Sequence, residues 1–172
     1  PVAHSFPTRR SSDLPLRVPR LLKVMGAGPE LTVINGVRDE PVLWFRPDRD
    51  FLSSTEIRNL TITGGASGVR VEAGTNFDIP TTTKPTLAGL VIRGNVIGLD
   101  LAPVAGSTGD AFPTVGPFVL QCVIKDNEEA GLRCDTGSHK ALCYPSLANT
   151  TIEDNSSHGV EMHNNSVATI TS

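Results

Sequence analysis

Apolar and polar residues alternate in short runs that recur along the chain at a near-constant spacing. Each run has a central isoleucine, and these isoleucines (Ile62, Ile92, Ile124 and Ile152) are separated by 30, 32 and 28 residues. The alternation has a period of two, which is typical of a half-buried β-strand, and no stripe of helical spacing survives across the runs. A repeat of this length predicts stacked units that bury a core only by packing on each other.

The repeat unit is a strand, a turn and a second strand. Apolar residues alternate before the turn, as at Leu60 and Ile62, and again after it, as at Val69 and Val71. Because each strand is short, we expect it to pair with the equivalent strand of the next unit. A weaker copy of the unit precedes the others at Leu31–Gly36, and the four clear copies are Asn59–Val71, Gly89–Leu101, Gln121–Cys134 and Asn149–Met162.

Glycine or asparagine stands three residues after each central isoleucine, at Gly65, Asn95, Asn127 and Asn155. These residue types accept a left-handed backbone at little steric cost, so we predict a tight bend at each of these positions. Stacked asparagines are also expected to join their side-chain amides along the turn, as in other in-register stacks. A second glycine precedes the following strand, at Gly68, Gly98, Gly131 and Gly159.

Three features together resemble a known repeat: the I-x-x-N turn, the G-[VL]-x-[VLCM] strand and the entry segment Gly26–Gly36 (GAGPELTVING). They are similar to the right-handed parallel β-helix proteins of the pectin-lyase-like superfamily, over the chain from about Lys23 onward. The resemblance implies an all-β fold, a single-stranded right-handed parallel β-helix (a solenoid) of about five coils. It also implies an extracellular or cell-surface location. It does not specify an activity, since this fold hosts lyases, hydrolases and non-catalytic adhesins.

We divide the chain into two parts. Residues 1–22 are predicted to be a non-native or disordered leader, in which residues 5–14 (SFPTRRSSDL) resemble a translated sequencing adapter. Residues 23–172 are predicted to form the β-helix domain, and the segment Val167–Ser172 looks like a strand cut off in progress, so we expect the domain to be incomplete at its C-terminal end. Open sheet edges at the ends of such a stack predict end-to-end self-association.

Composition supports this fold and excludes two kinds of partner. Hydrophobic residues make up 38% of the chain, and 16 glycines and 13 prolines favour short strands joined by many turns. The net charge of −3 argues against nucleic acid as a partner. No apolar run approaches the roughly 20 residues that a membrane span requires.

The three cysteines, Cys122, Cys134 and Cys143, contain no C-x-x-C pair, so a zinc or thioredoxin-like motif is not supported. Two interpretations stay open. Cys134 and Cys143 could close a small disulfide if the protein is secreted. Alternatively, Cys122 and Cys134 are small core residues, which their phase in the repeat favours.

The outward positions of the strand after the turn carry charges that alternate in sign, at Arg70, Asp100, Arg133 and Glu161. Opposite charges on neighbouring strands stabilise a sheet, so a surface charge ladder explains this pattern. The alternative is a glycan-facing surface, on which arginines bind the carboxylates of a polysaccharide or cell-surface glycan.

The connectors Ala73–Thr86, Ala102–Pro117 and Asp135–Ser146 are long enough to protrude from the coils, and insertions in solenoids gather on the binding side. Their residues with usable chemistry are Asp78, Lys84, Asp110, Asp135, His139, Lys140 and Tyr144. His158, Glu161 and His163 are weak candidates for a zinc or copper site. We expect no metal and no cofactor there, because a site needs three or four converging ligands.

No catalytic residue can be assigned. The clustered aspartates and the G-H-G and R-I-K motifs of polygalacturonase-like hydrolases are absent from the sequence. Pectate-lyase-like enzymes bind calcium through several converging carboxylates, and Asp100 has no second carboxylate in its column nearby. We therefore expect a fragment of a non-catalytic scaffold that binds a glycan or a surface. The alternative is part of a polysaccharide lyase or glycoside hydrolase acting on an acidic polysaccharide, the only case in which Ca²⁺ is expected.

Overall fold

The computed structural model describes residues 15–18, 22–46, 55–76, 79–103, 112–137 and 141–172. Within these ranges the protein is all-β and has no helix, and long-range strand pairing is parallel throughout. No described segment is therefore a helix long and apolar enough to cross a membrane. The predicted all-β parallel solenoid is confirmed, with about four turns.

The strands follow the chain coil by coil. Strand β1 (Leu16–Arg17) precedes the first coil, which contains β2 (Lys23–Met25), β3 (Val33–Asn35) and β4 (Pro41–Phe45). The second contains β5 (Glu56–Arg58), β6 (Thr61–Thr63), β7 (Ser67–Ala73), the antiparallel pair β8 (Thr75–Asn76) and β9 (Ile79–Pro80), and β10 (Thr82–Thr83). The third contains β11 (Thr86–Ala88), β12 (Val91–Arg93), β13 (Ile97–Pro103) and β14 (Thr114–Val115).

The fourth coil contains β15 (Phe118–Leu120), β16 (Val123–Lys125), β17 (Ala130–Asp135) and β18 (Leu142–Cys143). The last contains β19 (Ser146–Ala148), β20 (Thr151–Glu153) and β21 (His158–His163), after which β22 (Thr169–Thr171) begins a further pass. The described strands make about four turns, compared with the prediction of about five coils.

Equivalent strands of successive coils form four parallel sheets. Sheet A has the order β1-β4-β7-β13-β17-β21, and sheet B has the order β2-β5-β11-β15-β19-β22. Sheet C has the order β3-β6-β12-β16-β20, and the smaller sheet D has the order β10-β14-β18. Along each coil the chain passes from sheet B to C, then to A, and then through sheet D where that strand is present.

The core lies inside the coil, where equivalent residues stack in columns. The central isoleucines of sheet C are in register, with Ile92 aligned with both Ile62 and Ile124. The alternating residues named in the sequence analysis are buried in the middle coils, as Val69, Leu99 and Leu132 are all fully inaccessible. The prediction of an inward face is thus confirmed. Cys122 and Cys134 are also buried, as their phase in the repeat indicated.

The left-handed residues of the turn between sheets C and A lie one position earlier than predicted. They are Gly64, Gly94, Asp126 and Asp154, with φ of 81°, 62°, 53° and 51°. The prediction that Gly65, Asn95, Asn127 and Asn155 carry the left-handed bend was therefore wrong. The reason is that the asparagine side chains point into the coil to bond along the stack, so the preceding residue makes the bend. A second left-handed corner, between sheets B and C, stands at Asn59, Gly89, Gln121 and Asn149.

The second glycine of the repeat lies inside the strand of sheet A, where there is no room for a side chain. A Cβ on Gly98 would lie 2.5 Å from the carbonyl oxygen of Gly131 and 2.6 Å from Cγ2 of Ile124. Gly68 and Gly131 face similar contacts, whereas a Cβ on Gly159 would meet only Ile152 Cγ2, at 3.7 Å. The glycine column therefore lets the asparagine ladder and the isoleucine column pack directly against sheet A.

The two ends of the stack differ from its middle. Strand β1 pairs with β4, so sheet A extends into the part of the chain predicted as a leader, while residues 1–14 and 19–21, with the adapter-like stretch, lie outside the described residues. In the last coil Val160 is 37% exposed and Ile170 is 64% exposed, although both occupy inward columns. These side chains are exposed because no further coil packs on them among the described residues.

Candidate functional site

The charged column on the outer face of sheet A forms in register. Asp100 is aligned with Arg70 on one side and Arg133 on the other, and Arg133 is aligned with Glu161. Nη1 of Arg70 lies 2.7 Å from Oδ2 of Asp100, and Nε of Arg133 lies 3.2 Å from Oδ1. Asp100 is only 2% exposed, so both of its oxygens are bound and covered. Arg70, Asp100 and Arg133 thus form an ion-paired ladder that Glu161 continues in register, and glycan binding by these four residues stays a prediction.

Arg70 is held from two sides. Its Nε donates to Oε1 of Glu72 at 2.7 Å, while Nη1 donates to Asp100. Partial burial lowers the pKa of Arg70, but the hydrogen bond to Glu72 and the negative charge of Asp100 outweigh it and raise that pKa. The guanidinium therefore stays charged and is already bound within the sheet.

The same column continues to two residues that the sequence analysis missed. Trp44 is aligned with Arg70, and Arg17 is aligned with Trp44. The guanidinium carbons of Arg17 and Arg46 lie 5.4 Å and 5.1 Å from the indole centroid, within cation–π range. Pro41, which begins β4, follows Ile34 by seven residues, whereas its partner Ser67 follows Ile62 by five. Because of this longer turn, the apolar positions of β4 do not align with those of the other copies when the repeats are compared in the sequence.

The asparagine ladder is present and continuous. Oδ1 of Asn127 accepts from the backbone N–H of Asn95 and from its Nδ2, both at 3.2 Å, and Nδ2 of Asn127 donates to Oδ1 of Asn155 at 2.8 Å. Gly65 takes part through its backbone N–H, which donates to Oδ1 of Asn95 at 3.1 Å. The predicted stacking of side-chain amides is thus confirmed, and these bonds serve the fold.

A second outer feature lies where sheet D meets sheet B, and we call it the proline corner. It consists of the dipeptides Lys84–Pro85, Gly116–Pro117 and Tyr144–Pro145 together with Phe118. The three prolines are buried and occupy equivalent positions, since the carbonyl of Pro85 accepts from Phe118 N–H at 2.9 Å and that of Pro117 from Ser146 N–H at 3.0 Å. Each proline precedes the next central isoleucine by seven residues (92 − 85, 124 − 117, 152 − 145), a signal that the sequence analysis overlooked.

Lys84, Gly116 and Tyr144 stack across the proline corner in successive coils, because Thr83 and Cys143 both align with Val115. A Cβ on Gly116 would lie 2.9 Å from the carbonyl oxygen of Tyr144 and 3.6 Å from Cε of Lys84. The lysine stem therefore packs beside Gly116, where a side chain would collide with the backbone of Tyr144. Lys84 forms no ion pair within the described part of the chain.

Three aromatic side chains in this part of the chain are exposed. Tyr144 is 44% exposed and Phe118 is 40% exposed, and Phe112, which precedes β14, is 44% exposed. Phe118 is aligned with Ser146, two residues after Tyr144, so the two aromatic residues lie in successive passes of the chain through the same corner. The proline corner thus combines a basic group with apolar rings that are open to solvent.

The metal-site candidates are not brought into one cluster. Nε2 of His163 lies 2.8 Å from Oε1 of Glu161, while Nδ1 of His158 contacts Oγ of Ser157. The hydrogen bond to His163 lowers the pKa of Glu161. No group of three or more histidine, cysteine, aspartate or glutamate side chains converges as a metal site in the ranges that the structure describes.

The remaining loop candidates divide into two groups. Asp135 ends β17 and uses Oδ1 to accept from the backbone N–H of Gly137 at 2.9 Å, which is a local turn contact. Four candidates lie outside the described residues: Asp78, Asp110, His139 and Lys140.

Comparison with protein-family models, with curated proteins and with solved structures gave no match.

Proposed function

We propose that this chain is a non-catalytic parallel β-helix scaffold that binds a polysaccharide or a glycan-covered surface outside the cell. We further propose that it is a right-handed member of the pectin-lyase-like superfamily, as the repeat motifs indicate. The observation that carries the binding proposal is the exposure of two rings, Tyr144 and Phe118, at the proline corner, which also contains Lys84, a residue without an ion pair among the described residues.

The chemistry of the proline corner suits a sugar. An exposed aromatic ring offers an apolar face, and tyrosine adds a hydroxyl that donates or accepts, which matches the mixed C–H and hydroxyl surface of a pyranose. The ammonium of Lys84 adds attraction for an acidic substituent. Proline fixes the backbone next to Lys84 and Tyr144, so little conformational entropy is lost when a ligand binds.

The charge ladder is the less suitable binding face. Asp100 is saturated by Arg70 and Arg133, and a ligand carboxylate would have to break those contacts to reach either arginine. The same saturation weakens the alternative of a calcium-dependent lyase, since neither oxygen of Asp100 is left for a metal ion. Lyase activity is therefore one of the outcomes that the following experiment can detect.

The test compares retention on polysaccharide gels. The chain and its Tyr144→Ala, Phe118→Ala and Leu31→Ala variants are run by affinity electrophoresis through polygalacturonate and through an uncharged glucan. Leu31 is 77% exposed at the far end of the stack and serves as the matched control. We expect each corner variant to weaken binding about tenfold and Leu31→Ala to leave it unchanged.

Two outcomes would contradict the proposal. Equal retention of the unchanged chain and all three variants would remove the proline corner from the binding face. Unsaturated products that absorb in the ultraviolet, formed from polygalacturonate with Ca²⁺, would show that the chain is a lyase.

A further inference from the structure

The outer face of sheet C carries two basic side chains on neighbouring strands. Arg93 ends β12 and Lys125 ends β16, and the two residues are aligned in the parallel pairing of these strands. Each follows a fully buried isoleucine, Ile92 or Ile124, so both side chains point away from the core. Aligned residues of neighbouring strands lie about 4.8 Å apart, and the two positive charges are therefore held side by side.

This alignment of two positive charges is unfavourable for the fold. Like charges at aligned positions destabilise a sheet, whereas opposite charges stabilise it. The outward column of sheet A obeys this rule in the same two coils, because Asp100 is aligned with Arg133 and forms an ion pair with it. Stacking of the coils therefore does not explain why Arg93 is next to Lys125. A local rule broken without a structural gain is typical of a functional site.

The acidic residues nearby leave the two cations accessible. Arg93 is exposed and forms no ion pair with any described residue. Nζ of Lys125 lies 3.6 Å from Oδ2 of Asp126, whose side chain is 53% exposed, so this surface contact is weak. Glu153 is aligned with Lys125 on the other side and is also exposed. An anion from solution can therefore reach both cations without breaking a buried ion pair.

The asparagine ladder holds the backbone beneath these cations. Nδ2 of Asn95 donates to the carbonyl oxygen of Arg93 at 3.1 Å and to Oδ1 of Asn127 at 3.2 Å. The hydroxyl of Thr63 lies next to the same turn, since a Cβ on Gly94 would be 3.0 Å from its Oγ1. Because the backbone is already ordered, binding of a ligand here requires little further loss of conformational entropy.

The donor groups favour an anion with three terminal oxygens. A guanidinium bonds two oxygens of one anion through its paired N–H groups, and an ammonium is a compact donor for a third oxygen. A sulfate or phosphate ester offers three such oxygens, whereas a carboxylate has two. Val91 and Val123 are half-buried two residues earlier on the same strands and the same face. They provide an apolar surface for the C–H groups of a sugar ring that carries the anion.

We propose that Arg93 and Lys125 form a binding site for a sulfate ester group of a glycan on the outer face of sheet C. A phosphate ester presents the same oxygens, and the experiment separates the two. The site lies on a different sheet from the proline corner and is independent of ligand binding there.

The experiment measures binding of the full chain to immobilised dextran sulfate, dextran phosphate and uncharged dextran by biolayer interferometry. Uncharged dextran gives the background from any binding at the proline corner. We expect Arg93→Gln and Lys125→Gln each to weaken binding to dextran sulfate about tenfold. The matched control is Lys23→Gln in sheet B, which removes the same charge from a side chain that is 72% exposed. It is expected to change the affinity by less than about twofold.

A charge reversal separates loss of the site from loss of the fold. Arg93→Glu places opposite charges at the aligned positions, so it is expected to raise Tm by about 1–2 °C while it abolishes binding to dextran sulfate. Unchanged binding by Arg93→Glu would overturn the proposal. Equal weakening by Lys23→Gln and Arg93→Gln would also overturn it, because the attraction would then belong to the whole surface. Binding to dextran phosphate but not to dextran sulfate would overturn the assignment of sulfate.

Discussion

Asn127 stands at the centre of the turn ladder and shows how one side chain connects three coils. It is completely buried, accepts two hydrogen bonds from Asn95, and donates to Asn155 and to the carbonyl oxygen of Ile92. A buried amide with all its groups bonded specifies one register, whereas a partly bonded one is costly. The ladder therefore fixes the alignment of coils that hydrophobic stacking alone would leave free to slip.

Asn127→Ala is expected to destabilise the fold by about 2–4 kcal/mol, because the buried backbone N–H of Asn95 loses its side-chain acceptor and the carbonyl of Ile92 loses a donor. The matched control is Asn155→Ala at the open end of the ladder, where solvent replaces lost partners and the expected cost is about 1 kcal/mol. Urea unfolding followed by circular dichroism measures both. Equal urea midpoints for Asn127→Ala and Asn155→Ala would contradict the stabilising role of Asn127 in the ladder.

Asp100→Asn is expected to cost about 2–3 kcal/mol, because removing the charge leaves Arg70 and Arg133 without their shared partner. This loss of stability is smaller than that expected for a fully buried ion pair, because the side chains of Arg70 and Arg133 are 32% and 30% exposed and solvent screens their charges. Glu161→Gln, at the exposed end of the same column, is expected to change the unfolding free energy by less than about 0.5 kcal/mol. A urea midpoint for Asp100→Asn at the wild-type value would show that the ladder contributes nothing to stability.

At the scale of the strand, the glycine column explains why the second strand of the repeat begins with glycine. Sheets A and C meet at a sharp corner, and the asparagine ladder and the isoleucine column lie between them. The space left for Gly98 is smaller than a methyl group, since a Cβ there would lie within 3 Å of Gly131, Ile124 and Asn127. The close approach of two sheets, and not a special backbone angle, therefore requires glycine at this position.

Gly98→Ala is expected to lower stability by about 3 kcal/mol, because the added methyl collides with a backbone carbonyl that cannot move independently of its strand. Gly159→Ala introduces the same methyl at the equivalent position of the last coil, where the nearest atom is 3.7 Å away. It is expected to be neutral within about 0.5 kcal/mol. Thermal unfolding of the two variants is the measurement. An equal loss of Tm in both would indicate that the need for glycine in this column comes from strand propensity rather than from packing.

The repeat made the strands and their inward face predictable, because alternation at constant spacing leaves a strong pattern in the sequence. The conformation of the turn was not predictable from residue type alone, since asparagine is suited both to a left-handed bend and to a side-chain ladder. The structure assigns the ladder to Asn95 and the bend to Gly94. Trp44 was not predicted because two extra residues in the preceding turn shift the phase of its strand. The proline corner was not predicted because the sequence does not show which aromatic rings are exposed to solvent.

At the scale of the whole molecule, the two ends of the stack are complementary. Among the described strands, β1 is at one edge of sheet A and β21 is at the other. If a second copy continued the stack in the same register, Leu16 would follow Val160 and Arg17 would follow Glu161. The inward column would then stay apolar, and the charge column would place an arginine next to a glutamate, as it does at Arg133 and Glu161 within one chain.

We therefore expect copies of this 172-residue chain to associate head to tail, through strand pairing and burial of apolar end residues such as Ile170 and Val33. Sedimentation velocity over a concentration series should show species above the 18.2 kDa of one chain. Glu161→Arg should weaken association, because it sets like charges on adjacent strands, and the exchange Arg17→Glu in the same chain should restore it. A single species of one-chain mass at every concentration would contradict the expectation. Equal association of the unchanged chain, the Glu161→Arg variant and the double variant would show that the contact between copies does not continue sheet A in this register.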